Sequence, residues 1–574
     1  MKVWAPYAKK VELICSEKKR LMQKDNDTGW WYLKNFSLKH GDDYAFFVDD
    51  RGPFPDPRSS WQPNGVHGFS RYVDHSLFEW KHDFWHTPPL GSSIIYECHI
   101  GTFTEEGTFD SAIKRLDHLL ELGINYIEIM PVSEFPGNRG WGYDGVDIYA
   151  PHHSYGGPDG LKRFIDACHG KGISVILDVV YNHLGPDGNY LSQFGPYFTK
   201  KYSTPWGEAV NFDDGDSDEV RRFFIDNAIM WITDYRIDGL RLDAIHAIFD
   251  SSAMHFLEAL SLEINNLQDH LARNIFIIAE SDLNDPKIVR SREAGGYGLD
   301  AQWNDDFHHA LHSILTGEKN SYFSDFGKIS DLSKALSSGF VFDGQYSNFR
   351  KKRHGRQAKG LSGRNFIGFI QNHDQIGNRP GGERISHLLT LGQLKIAAAI
   401  LMMSPFIPML FQGEEWGATT PFKYFTNHQG PELGEAVSKG RLEEHSGFKP
   451  DIEISDPQEH KTFIDSKLNW CEKEKNIHNE IFSWYKDLIL LRKSYPELTD
   501  SRFSEVFVKF NEISRWLIIK RSRIILLCNF TEKNQSILCN GEKIILLSSE
   551  KLLRFDNEKV ELPRHSVVIF LLNS

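Results

Sequence analysis

Several apolar runs in this chain end in a carboxylate or an amide, and one of them sets an arginine beside an acid. In Arg236-Ile-Asp-Gly-Leu-Arg-Leu-Asp243-Ala-Ile-His246 the alternation of a strand places Arg241 and Asp243 on one face and Leu240 and Leu242 on the other. An arginine at that range favours the ionised acid, as in a structural ion pair or a nucleophile held ready. Related runs end in Asp178-Val-Val-Tyr-Asn182-His183, in Ile275-Phe-Ile-Ile-Ala-Glu280 and in Asn372-His373-Asp374. Three acids, Asp243, Glu280 and Asp374, capping three apolar strands cost too much desolvation to be incidental packing. Such a trio suits cleavage of a glycosidic bond, in which one ionised carboxylate attacks the anomeric carbon and a second, protonated, donates to the leaving oxygen. Asp243, beside Arg241, is expected as the nucleophile. Glu280, behind an apolar run that raises a carboxyl pKa, is expected as the general acid. Asp374 would hold the sugar ring in a distorted shape, with His373 and Gln375 as hydroxyl donors. His183 and His373 are alternative metal ligands, but neither lies in a ligand-spaced motif, so no metal is expected.

These residues need strands that end on one side. Eight are expected, at Ile94–His99, Tyr126–Val132, Ser174–Asn182, Gly239–Ala244, Ile275–Glu280, Ala301–Asn304, Ile367–Asn372 and Ile407–Gln412. Helical spacing between them predicts helices at Phe109–Leu122, Leu161–Gly170, Asp218–Tyr235, Ala253–Leu267 and His387–Met402. Alternating strands and helices with near-continuous apolar strands imply an α/β fold with a parallel sheet, and eight repeats favour a closed (β/α)8 TIM barrel. No GxGxxG follows the first strand, which removes the main support for a dinucleotide fold. Short strands before residue 85 and after 496 predict flanking β-sandwich domains, at 1–85 and 496–574, around a catalytic barrel at 86–495. Within the barrel, 184–215 is expected to be an excursion over the mouth, and 416–475 an irregular polar insertion followed by a helix at Ile481–Arg492.

Composition excludes several classes. A net charge of −13 over 574 residues with no basic run argues against nucleic acid as a partner. The longest apolar stretch, Ile396 to Phe411, is broken by Ser404, Pro405 and Pro408 and is too short to span a membrane. The N-terminus lacks the apolar run of a signal peptide, so a cytoplasmic protein is expected. Six cysteines without a CxxC pair read as reduced core residues, and Cys98 as a neutral core substitution.

The segments Asp178-Val-Val-Tyr-Asn-His183, Gly239-Leu-Arg-Leu-Asp243, Ile278-Ala-Glu280 and Asn372-His-Asp374 resemble, in order and spacing, the four motifs of the α-amylase superfamily. The resemblance implies a retaining mechanism through a covalent glucosyl enzyme, with Asp243 as nucleophile, Glu280 as acid/base and Asp374 as transition-state stabiliser. Within that superfamily, Arg139-Gly-Trp-Gly-Tyr-Asp-Gly145, Tyr181 to Tyr190, Ala279 to Asp285, Asn304 to His309 and Gln371 to Arg379 resemble the maltooligosyltrehalose trehalohydrolases, which release trehalose from a trehalose-capped α-glucan. By that resemblance Tyr143 stacks on the sugar at the cleavage subsite, with His183, Arg241 and His373 around it. His246, Asn304, Asp305, Asp306, His308, His309, Gln375 and Asn378 would line the neighbouring cleft. The family also implies a pathway partner, maltooligosyltrehalose synthase, and no cofactor is expected.

Two departures stand out. The chain begins at Lys2-Val-Trp-Ala-Pro6, where members of the family it resembles usually carry more residues upstream, so either the first strand of the N-terminal sandwich is expected to be missing or the start is misassigned; and Asn427 stands where an acid is usual. The competing readings are a glucan branching or debranching enzyme, separated from a hydrolase by whether water or a sugar hydroxyl is the acceptor, and a silent glycan-binding protein, which the three acids argue against.

Overall fold

The computed structural model describes residues 1–444 and 454–572. At its centre eight parallel strands close on themselves: β1 Ile95–Cys98, β2 Tyr126–Ile129, β3 Ser174–Val179, β4 Gly239–Leu242, β5 Phe276–Ala279, β6 Ala301–Trp303, β7 Phe366–Phe369 and β8 Ile407–Phe411. The expected (β/α)8 barrel is present. Each strand is a residue or more shorter than the apolar run that predicted it, because the last residues of each run, apolar and polar alike, leave the ladder for the loops.

Strand parity fixes what fills the barrel. Ile95, Tyr126, Ile176, Ile278, Ile367 and Ile407 belong to one cluster and close its floor. Two residues further along the same faces, toward the carboxyl ends, come Glu97, Glu128, Asp178, Arg241 and Glu280, all but Glu280 buried. On β1 to β5 the interior therefore changes from apolar to charged within one pleat, while Trp303, Phe369 and Met409 keep it apolar on β6 to β8. That side of the barrel is where barrel sites form.

The helix expected at Phe109–Leu122 is two pieces, Phe109–Ile113 and Leu116–Leu122, with Thr108 and Ser111 forming a capping box at the start and Gly123 (φ 99°) ending the second. The break falls at Arg115, whose guanidinium lies over the Trp470 ring, 4.3 Å from its centroid. The other four expected helices are present at Gly157–Gly170, Ser217–Thr233, Phe256–Leu271 and Leu391–Met403, and that after the insertion runs Asn476–Ser494. Sequence reading left two long helices out, Asp305–Thr316 and Ile329–Ser338.

The excursion after β3 is built on an antiparallel hairpin, Phe198–Thr204 with Gly207–Val210. Nor is the stretch 416–475 wholly irregular: it carries helices at Pro431–Glu444 and His460–Asp465. Antiparallel sheets flank the barrel on both sides. At the N-terminal side Lys2–Trp4 pairs with Trp30–Tyr32 as the edge of a three-stranded sheet beside a five-stranded one. The C-terminal pair has five and three strands, the latter from Gln535–Leu538, Arg554–Phe555 and Lys559–Leu562, which the sequence reading missed. Five cysteines are buried, Cys98 among them, but Cys471 is exposed, contrary to the reading of all six as core. No helix among the described residues is long and apolar enough to cross a membrane.

Candidate active site

Arg241 is wholly buried on β4 and organises the charged layer. Its Nη1 donates to Asp178 at 2.7 Å and to Asp243 at 2.9 Å, and its Nη2 to Glu280 at 2.9 Å. Its guanidinium also lies 4.1 Å from the centroid of the Trp303 ring, which bars water from that face. One cation thus holds three carboxyls from three strands.

The same cation leaves the acids unequal. Burial works against a charged Asp243, but the charges of Arg241 and His183 and the Asn182 amide, which donates to its Oδ2 at 2.8 Å, outweigh it and hold the carboxyl below the usual range. For Glu280 burial prevails over Arg241, and the charges of Asp243 and Asp374 add to it, so its pKa lies well above the usual range. Immediately after Asp243 the backbone of Ala244 takes a left-handed conformation (φ 37°), and this turn directs its N–H at Glu280 Oε2, 2.7 Å away. A non-glycine residue in that region marks stored strain. Asp178, pushed up to about 6 by burial, accepts from the Tyr143 hydroxyl at 2.5 Å.

His373 opens the short helix His373–Gly377 after β7. Its Nδ1 meets Glu97 at 2.5 Å, its Nε2 lies 2.9 Å from the Tyr143 hydroxyl, and the two rings stack with centroids 5.1 Å apart. His183 bonds Asn182 through Nδ1 and the Tyr143 carbonyl through Nε2. Protein groups thus occupy both ring nitrogens of each histidine. Asp374 projects into the opening, 37% exposed, and Asn378 donates to its Oδ1 at 3.3 Å.

These groups line a cleft of about 620 Å³. Asp243, Glu280, Asp374, Tyr143, His183, His246, His373 and Asn378 all face it, so the structure brings together most of the residues singled out from sequence. Asp305 and His309 instead line a small enclosed cavity beyond it, with Tyr322 and Arg350. Burial pushes Asp305 up to about 7 and His309 down to about 3. Gln375 lies between the two spaces and accepts from the Tyr322 hydroxyl at 3.1 Å.

Asn304, Asp306 and His308 have structural surroundings. They belong to a helix and its cap: Asn304 caps Asp305–Thr316, accepting from Phe307 N and donating to the Gly339 carbonyl. Asp306 Oδ2 accepts from Val341 N, Phe342 N and Asn284 Nδ2 at 2.7 to 2.8 Å, and it also borders the small cavity. His308 stacks on Phe369, 5.5 Å between centroids. The helix is buried on every side from Asp306 to Leu315, so Asp306 and His308 meet protein although they lie on different faces.

Sequence reasoning missed cleft residues that loops deliver. Trp206, at the tip of the excursion hairpin, lies parallel to His183, and Asp144, Tyr424 and His428 complete the wall. Asn427 itself faces away, its Oδ1 accepting from Asn138 N at 3.1 Å. Among the described residues one trio has metal-ligand spacing, Glu134, His152 and His153. There His152 Nδ1 accepts from Ser154 N, which puts the neutral ring's proton on Nε2, the atom a metal would need bare.

Residues 73–204 match the family described as alpha amylase, catalytic domain. The chain is 49% identical over 500 residues to a malto-oligosyltrehalose trehalohydrolase of Arthrobacter ramosus, covering 86% of this chain and 87% of that protein. It is 43% identical over 562 residues to one of Saccharolobus solfataricus, covering 98% and 96%. Among solved structures, a putative alpha amylase from Salmonella typhimurium superposes with a TM-score of 0.91 at 37% identity, over 100% of this chain and 97% of that one. With relatives of this identity matched over nearly their whole length, the chain belongs to the malto-oligosyltrehalose trehalohydrolase family of α-amylase-type glycosidases.

Proposed function

We propose that the protein hydrolyses the α-1,4-glucosidic bond next to the terminal trehalose of maltooligosyltrehalose, releasing trehalose with retention of configuration. Asp243 attacks the anomeric carbon while Glu280 protonates the leaving oxygen. Glu280, now a carboxylate, then takes the proton of the water that hydrolyses the glucosyl ester. Asp374 contacts the distorted ring, and Tyr143 forms the stacking face of the cleavage subsite. Asp305, His309 and Gln375 lie where the trehalose end is recognised.

The observation that carries this reading is the unlike state of Asp243 and Glu280 on either side of Arg241. The chemistry requires one attacking base and one acid, and the same cation serves both. The domains divide near residues 85 and 495, the substrate comes from a maltooligosyltrehalose synthase, and the setting is the cytoplasm. Incubation with maltooligosyltrehalose and separately with plain maltooligosaccharides tests the substrate: rapid trehalose release from the first and slow attack on the second is expected. Branching, debranching or cutting of plain glucan without trehalose release would remove it.

A further inference from the structure

Beneath the catalytic acids lie two further carboxyls with no part in the mechanism above. Glu97 on β1 and Glu128 on β2 are register partners, pointing inward side by side, each 1% exposed. Their situations differ. Both oxygens of Glu97 are engaged, Oε2 accepting from His373 N at 3.1 Å and Oε1 lying 2.5 Å from His373 Nδ1, surroundings suited to a carboxylate. Neither oxygen of Glu128 meets a donor among the described residues. An ionised carboxylate so placed, beside another, is far costlier than the neutral acid.

The hydrogen-bond chain above them has a fixed direction. The Tyr143 hydroxyl has one proton and gives it to Asp178, so its oxygen can only accept from His373 Nε2. With Glu97 ionised, Nδ1 donates to it, and a ring that donates from both nitrogens is an imidazolium.

We propose that Glu97 is a positioning residue for the glycosidic reaction, holding His373 as an imidazolium against Tyr143 and Asp374, and that Glu128 is its neutral partner, the two carboxyls having one proton between them. Other charged or titratable groups face this ring. Asp178, Arg241 and Asp243 come from β3 and β4, His99 from the end of β1, and Asp374 from its own helix, its Oδ1 3.5 Å from Nε2. Burial alone would deprotonate the ring. Asp374 and Glu97 reverse this and raise it to about 9, while burial and Glu97 push Glu128 well up. The doubly donating ring fixes the Tyr143 face to which the sugar is applied and sets a positive edge beside Asp374.

This rests on the hydrolase reading for its kinetic arm alone. In protein labelled with 15N-histidine, His373 is assigned by loss of its signals in His373→Asn. Wild type is expected to show both ring nitrogens protonated at pH 7.5, Glu128→Gln the same, and Glu97→Gln one nitrogen bare. On maltooligosyltrehalose, kcat/KM of Glu97→Gln should fall by about tenfold or more at pH 7.5, with the deficit shrinking to about threefold at pH 5.5, where the ring regains its proton. A purely structural role would lower the rate equally at every pH and leave the nitrogens unchanged, and that result overturns the proposal. So does a singly protonated His373 in wild type, which decides the matter even if Glu97→Gln does not fold. A wild type that releases no trehalose refutes the substrate and leaves the nitrogen result standing.

Discussion

Trp206 and His183 lie face to face, ring planes 5° apart and centroids 4.3 Å apart, one on a hairpin tip and the other just beyond a barrel strand. His183 is fixed by Asn182 and the Tyr143 carbonyl, so it is the rigid member of the pair. Trp206 stays 49% exposed and borders the cleft, presenting indole surface to an incoming sugar. Trp206→Ala should raise KM for maltooligosyltrehalose by about three- to tenfold while kcat changes less, with Trp206→Phe intermediate. Steady-state kinetics on the three proteins checks this, and an unchanged KM would mean the indole does not touch substrate.

The opposed shifts of Asp243 and Glu280 predict the pH profile. Asp243 must be ionised to attack, so activity disappears as pH falls through its lowered pKa. Glu280 must be protonated to donate, so activity disappears as pH rises through its raised pKa, and the plateau between is wide. Glu280→Gln should lower kcat by about 10²- to 10⁴-fold on the glucan. With an α-glucoside of an acidic phenol, which leaves without protonation, the loss in kcat/KM, which reports the first step alone, should be far smaller. There kcat stays low because Glu280 is also the base of the second step, and equal losses of kcat/KM on both substrates would deny Glu280 the role of acid.

Removing Arg241 strands three carboxyls at once, two of them buried. Arg241→Met should destabilise the barrel by about 3 to 5 kcal/mol, the range for a buried pair broken from one side. Because the orphaned acids can be neutralised by protons, the deficit should shrink as pH falls from 8 to 5. Thermal inactivation across that range measures it, and a deficit independent of pH would count against the charge argument.

Asp306 provides the contrast within the set proposed to bind substrate. Three donors converge on its Oδ2, so Asp306→Ala should cost about 2 kcal/mol and lower the inactivation temperature by several degrees. The KM of the surviving enzyme should stay within about twofold of wild type. A large rise in KM at unchanged stability would return Asp306 to the substrate.

The barrel and its acids were legible because each strand is a largely apolar run, and Asp243, Glu280 and Asp374 stand just past the ends of three of them, where the cleft opens. The helix that begins at Asp305 was less legible, because its first turn is polar; yet Phe307, Ala310, Leu311, Ile314 and Leu315 hold helical spacing, and the helix is buried on every side from Asp306 to Leu315. Trp206, Asp144 and His428 had no such signal. They sit on loops whose course depends on distant packing, and a side chain's arrival over a barrel mouth from a hairpin cannot be read from local pattern. Glu97 and Glu128 were hidden inside runs read as hydrophobic, where a single acid looks like an interruption.

The apolar floor formed by Ile95, Tyr126, Ile176, Ile278, Ile367 and Ile407 has a consequence for traffic. With that end of the barrel sealed, the vessel has a single door. Glucan, the water that resolves the glucosyl ester and the departing trehalose all share the open cleft at the other end, and a trehalose that lingers there is itself an acceptor for the return reaction.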